Sequence, residues 1–251
     1  MKEILNCAMD IGELMVVSGA EVHRVEDSID RICRSLGASR VDCFIIISSM
    51  VVTLHDAEGH AYTQTRRIRR TGTDFHRLDL LNALSRRICD EKLSVEAIKA
   101  EFARITNAKT YPLWLEFVLY AMAASAFTVF FGGNWQQALV SLFVGAFVRL
   151  VVFLSDCTVK NLIFAKFISS LFVTALTFLA ITLWTGLKAD EIIIGNIMLL
   201  IPGLGFTNAL RDLFTGDSVA GILRSLEALL SAVAIAAGYF VFVFVSGGIT
   251  V

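Results

Sequence analysis

Ionisable residues are spread so unevenly along this chain that its two parts must fold in different solvents. Residues 1–110 hold 32 of the 45 Lys, Arg, Asp and Glu residues and all four histidines, whereas 111–251 hold 13. A soluble domain usually carries about 25% charged residues, and the second part falls far short of that. A helix crossing about 30 Å of hydrocarbon needs roughly 20 mostly apolar residues. Five segments qualify: 113–131, 135–154, 163–184, 191–210 and 226–245. Trp114, Trp135 and Trp184 stand near their ends, where interfacial indoles belong. The expected architecture is an α-helical membrane domain, 113–251, with five transmembrane helices, preceded by a small cytoplasmic α+β domain, 1–110.

Orientation follows from two readings. Glu3, Asp10 and Glu13 interrupt the first apolar stretch, so no signal-type run fits there and the first domain is expected to stay in the cytoplasm. Lys160, Lys166, Arg211 and Arg224 fall in loops on that side, against Lys188 alone on the other. The positive-inside rule then places the N-terminus inside and the C-terminus outside. A net charge of −1 gives no reason to expect nucleic-acid binding. Five cysteines (Cys7, Cys33, Cys43, Cys89, Cys157) without C-x-x-C spacing argue for reduced thiols rather than disulfides or a structural zinc site.

Within 1–110, apolar residues recur at helical spacing (Ile4, Ile11, Met15, then Val22, Val25, Ile29, Ile32), with a break at Ser18-Gly19-Ala20-Glu21. Ser18 and Glu21 have the spacing of a capping box, and Gly37 is placed to end the second helix. β-branched runs follow at 41–48 and 50–55, then a turn through Gly59 and a third strand at 60–65. Two more helices are expected, over 76–90 and after Ser94 as N-cap. Tyr111-Pro112 closes the domain.

Solute chemistry is expected at the fourth span. Pro202, Gly203 and Gly205 interrupt it near mid-membrane, and an interrupted helix there exposes backbone dipoles to ions or substrate. A kinked helix with no ligand role is the alternative. Asn196 and Asn208 flank the break. Arg149, near the end of the second span, and Arg211 are candidates to offset a carboxylate. Asp212, Asp217, Arg224 and Glu227 are candidates for coupling or gating, with a solvated loop as the alternative. No P-loop supplies nucleotide energy, so a proton gradient is the expected drive. Among weaker constellations, His23 and Glu26 have a metal-compatible i, i+3 spacing but no third ligand, and no metal or cofactor is expected. Ser18, His23 and Asp27 suggest a hydrolase only weakly. Arg66, Arg67, Arg69 and Arg70 form a basic run suited to lipid headgroups or to solvent. Glu116 is expected at the interface.

Three stretches together resemble the threonine/serine exporter (ThrE) family, in particular the larger component of its split, two-subunit form. They are Gly12-Glu13-Leu14 with Ser18-Gly19-Ala20-Glu21 and Arg24-Val25-Glu26; the small β region with its Gly59 turn; and Ile201-Pro202-Gly203 with Thr207-Asn208-Ala209, Arg211-Asp212, Gly216-Asp217, Gly221, Arg224 and Glu227-Ala228. The resemblance implies export of amino acids or dicarboxylates across a bacterial inner membrane. Single-chain members have about ten spans, so a chain with five implies a separately encoded small membrane partner. Against this stand two other classes: a membrane-tethered hydrolase, for which no nucleophile–base–orienter set is apparent, and a metabolite sensor anchored by its spans.

Overall fold

A computed structural model describes residues 1–69, 72–108, 111–158 and 161–247 of the chain. Arg70 of the basic run, the Cys157 side chain and Lys160 of the orientation count lie outside the described residues. The chain divides into two compact units, one of Met1–Lys109 with Gly205–Ser225, the other of Thr110–Leu204 with Leu226–Val251.

The first unit opens with helices α1 (Lys2–Val17) and α2 (Val22–Ser35). The strands β1 (Arg40–Ile46), β2 (Ser49–His55) and β3 (Ala61–Arg67) form an antiparallel sheet in that order, with Phe44 opposite Val51 and Val52 opposite Gln64. α3 (Phe75–Glu91) and α4 (Val95–Thr106) complete the N-terminal segment. The period-2 alternation of a strand buries Met50, Val52 and Leu54 of β2, which join Ile11, Met15, Ile29, Ile32, Leu81 and Ile88 in one core. Gly37 ends α2 as expected: it has φ +104°, its amide donates to Arg34 O, and the Ala38 amide donates to Cys33 O. Ser94 caps α4 by accepting from the Ala97 amide.

The capping box does not form. α1 ends instead on Gly19, at φ +93°, whose amide donates to Val16 O while the Ala20 amide donates to Met15 O. Glu21 is the N-cap residue of α2, but no side chain caps that helix. This Schellman closure satisfies the last carbonyls of α1 and frees the Glu21 carboxylate for another partner. Arg66 likewise leaves the basic run to pair with Asp10 and Glu13 of α1. Cys7, Cys33, Cys43 and Cys89 are free thiols, and burial pushes those of Cys33 and Cys43 up to about 12.

The second unit holds α5 (Leu113–Phe130), α6 (Trp135–Thr158), α7 (Leu162–Leu183) and α8 (Ala189–Ile197), with 226–245 of α10 (Ser218–Val245). Four helices of the described chain are long and apolar enough to cross a membrane: α5, α6, α7 and α10. The described chain is mostly helical, with four candidate membrane spans and a small sheet near its N-terminus. Trp135 and Trp184, at neighbouring helix ends, meet edge to face with ring centroids 6.2 Å apart, a favoured arrangement for an aromatic pair.

The segment 191–210 is not one helix. α8 stops at Ile197, the chain makes tight turns (Leu200 N to Ile197 O, 2.8 Å), and α9 (Gly203–Thr215) starts after Pro202. Proline lacks the amide that would continue α8 and suits a helix start. Lys166 and Arg224, counted as loop cations in the sequence, lie inside α7 and α10.

Candidate functional site

The candidate residues gather in two places, one in each unit. In the first unit, residues 205–225 bring the end of α9 and the start of α10 to the α1–α2 turn. Gly216, at φ +98°, ends α9: its amide donates to Leu213 O and that of Asp217 to Asp212 O. Asp217 is thereby set beside Asp212. A Cβ on Gly221 would lie 2.9 Å from Leu213 N, so this α9–α10 corner is closed too tightly for a larger residue.

Three polar links then run from this corner to the α1–α2 turn. Asn208 Nδ2 donates to Gly19 O at 3.3 Å. Arg211 pairs with Glu21, the carboxylate left free by the Schellman closure. Arg224 Nη2 donates to Ala20 O at 2.8 Å, and within the corner its Nε lies 3.2 Å from Asp212 Oδ2. Asp212 has no exposed surface. Burial pushes its carboxyl above the usual carboxylate range; Arg224 opposes that shift, while Asp217 and Glu21 add to it. Glu26 is raised by burial too, against a hydrogen bond from the Ile45 amide at 3.0 Å. The metal-ligating atoms of His23, Asp212 and Asp217 lie within 4.8 Å of one another.

In the second unit, Asn196 is fully buried on α8. Its Nδ2 donates to Ile192 O at 2.8 Å and to Ser141 Oγ at 3.2 Å; Ser141 Oγ in turn lies 2.6 Å from Thr128 Oγ1. Among the described residues, Asn196 Oδ1 has no hydrogen-bond partner. Gly195 permits this approach, since a Cβ there would sit 2.7 Å from Thr128 N and 2.9 Å from its Cα. Arg149 pairs with Glu116, Nε to Oε2 at 2.8 Å. Its guanidinium carbon lies 6.0 Å, 5.8 Å and 5.9 Å from the ring centroids of Phe117, Tyr120 and Phe153, within cation–π reach. Pro202 is half-buried, while Gly203 and Gly205 are exposed. Glu227 is exposed and acts on the charge of Lys166, which is buried in α7.

Sequence reasoning placed Asn196 and Asn208 around one break. The fold assigns them to different units, with Asn208, Arg211, Asp212, Asp217 and Arg224 grouped around α2. It also brings in residues outside the candidate set read from the sequence: Glu21, whose spacing suits a cap; Glu116, expected at the interface; Lys166, read as a loop cation; and Ser141 and Thr128. The sequence signals for Glu21 are its capping-box spacing with Ser18 and its place in one of the three stretches that carry the family resemblance.

The profile of the family described as "Putative threonine/serine exporter" matches residues 6–246. The "Probable succinate transporter subunit YjjP" of Escherichia coli is 22% identical over 94% of this chain and 92% of its own length. The protein of that name from Klebsiella aerogenes is 25% identical over 88% of this chain and 83% of its own. The "Probable threonine/serine exporter" of Mycobacterium tuberculosis is 21% identical over 96% of this chain but only 46% of its own length. No solved structure matches the chain significantly. The match runs through the α1–α2 turn, the sheet, the break at Pro202 and the α9–α10 corner alike, and the chain belongs to the threonine/serine exporter family of membrane transporters.

Proposed function

We propose that this chain is one subunit of a bacterial inner-membrane secondary exporter for small polar metabolites, amino acids such as threonine and serine or dicarboxylates such as succinate. The observation that carries the reading is the family match over 6–246, joined to an apolar helical unit with a buried polar cluster beside an interrupted helix. In this reading the 191–210 segment is a fifth, broken crossing, the N-terminus is cytoplasmic and the C-terminus periplasmic. A separately encoded small membrane subunit completes the transporter. That is supported by the word "subunit" in the names of two relatives matched over most of their length.

Substrate would meet the chain at the break. Asn196 offers an unpartnered carbonyl oxygen there, and the interruption at Pro202, Gly203 and Gly205 turns backbone dipoles towards a solute. Arg149, held ready by Glu116, is the cation for a substrate carboxylate. Asn208 and Arg211, the other two proposed substrate contacts, are engaged by Gly19 and Glu21. They would therefore contact a solute only when these bonds open. Asp212, Asp217 and Arg224 then belong to a gate whose closed state is the hydrogen-bonded corner described above, and Glu227 with Lys166 is a second charge pair available for coupling. No step of this scheme requires enzymatic chemistry or a nucleotide.

The test is export from cells carrying the partner subunit, with Asn196→Leu and Arg211→Met variants shown by fractionation to reach the membrane. Loss of export with normal insertion is expected. Unchanged export in both variants removes these residues from the pathway.

A further inference from the structure

We propose that His23, Asp212 and Asp217 bind a divalent first-row transition cation of the zinc or manganese class. The site does not rest on the transport reading. Its ligand atoms come from segments far apart in sequence yet lie within 4.8 Å of one another. Ions of this class sit about 2.0–2.2 Å from nitrogen and oxygen ligands, so small side-chain rotations bring all three atoms into range.

The unmet bonding of the buried atoms points to a ligand. Asp212 has no exposed surface, yet among the described residues neither of its carboxylate oxygens accepts a hydrogen bond. The Val22 amide is near enough to act on the carboxylate's charge but does not reach hydrogen-bond geometry with either oxygen. Arg224 Nε faces Oδ2 at 3.2 Å in an ion pair that also falls short of that geometry. Oδ1 has no partner either. His23 Nδ1 and Asp217 Oδ2 are likewise buried atoms without a hydrogen bond, the nearest acid to Nδ1 outside the trio being Glu21 Oε2 at 3.8 Å. Buried polar atoms left unpaired are costly and rare, and each of the three residues whose ligand atoms lie within 4.8 Å of one another carries at least one.

Charge and ligand type identify the ion. Glu21, Glu26, Asp212 and Asp217 are four carboxylates; Arg211 and Arg224 are two guanidinium groups, so two negative charges remain for a divalent cation. One imidazole with two carboxylates favours zinc, manganese or iron over calcium and magnesium, which prefer all-oxygen shells. Arg224 on Oδ2 would serve as an outer group orienting Asp212. The His23 ring is partly exposed, which gives the ion a path in. Bound there, it would pin the α9–α10 corner to the start of α2.

The test uses the full-length chain in detergent, stripped with chelator, given Zn²⁺ alone and desalted before elemental analysis. About one ion retained per chain, with a rise in melting temperature, is expected. His23→Gln and Asp217→Asn should each abolish retention while remaining monodisperse, and His60→Ala, in the separate Asp56, Glu58 and His60 group, should retain the ion. Should the variants fail to fold, Mn²⁺ bound to the wild-type chain must show nitrogen coupling from one imidazole by pulsed electron paramagnetic resonance. No retained ion, retention surviving in both variants, loss in His60→Ala, or Mn²⁺ without imidazole coupling would each overturn the proposal.

Discussion

Replacing Arg224 with Met probes the corner most sharply. Arg224 is 10% exposed at its side chain and Asp212 not at all, so the substitution strands a buried carboxylate without its cation. Breaking a buried pair from one side costs about 3–5 kcal/mol, whereas replacing both members is often near neutral. The hydrogen bond to Ala20 O, made by a charged donor, contributes about 1.5–3 kcal/mol within that loss. In chelator, Arg224→Met should therefore lower the local opening free energy of 205–225 and α2 by about 3 kcal/mol. Adding Asp212→Asn should restore the part that comes from the stranded carboxylate, because the amide can be buried without a counter-charge, while the part due to the lost bond to Ala20 O remains. The assay is hydrogen–deuterium exchange in detergent, followed on peptides from both segments. Independent sites add to within about 0.3–0.5 kcal/mol. Additive effects in the double variant, or a single variant that leaves exchange unaltered, would refute the reasoning.

Gly195→Ala places a Cβ against the Thr128 backbone, which no rotamer change relieves; a loss of about 1–3 kcal/mol in thermal or chemical unfolding is expected. Gly203→Ala, with nothing near its Cβ, should melt at or above the wild-type temperature. Glu116→Gln leaves Arg149 buried among three rings with a neutral partner and should lower stability by about 3 kcal/mol, largely recovered by adding Arg149→Met. Glu26→Gln keeps an acceptor for the Ile45 amide and removes a charge whose burial raises its pKa. A raised folded-state pKa means the ionised form is disfavoured on folding. The variant should therefore melt higher than wild type at neutral pH, and the gain should vanish as pH falls through the carboxylate range. An equal gain at all pH values would count against this origin.

Much of the secondary structure could be read directly. The alternation around Met50, Val52 and Leu54 and the helical stripes through Ile29 and Ile88 report which face is buried, and burial is what patterning encodes. Pro202 announced the helix break because proline acts locally. What the sequence concealed was set by long-range pairing. Ser18 and Glu21 fit a capping box, but the left-handed turn at Gly19 satisfied the helix end first, and Glu21 turned to Arg211, a residue 190 positions away. Lys166 reads as a loop cation because local composition does not reveal that it lies inside α7. His23 lacked a third ligand on paper because Asp212 and Asp217 reach it only through the fold. Asn208 appeared to share a site with Asn196 because both flank one break, yet the segment between them passes from one compact unit to the other.

The most direct test of the exporter assignment is efflux from cells in which this chain alone has been deleted. Intracellular and external pools of threonine, serine and succinate are followed after loading. At least one of these should accumulate inside and fall outside, and wild-type protein should reverse the change. Pools that stay the same for every amino acid and dicarboxylate measured, with and without the chain, would contradict it.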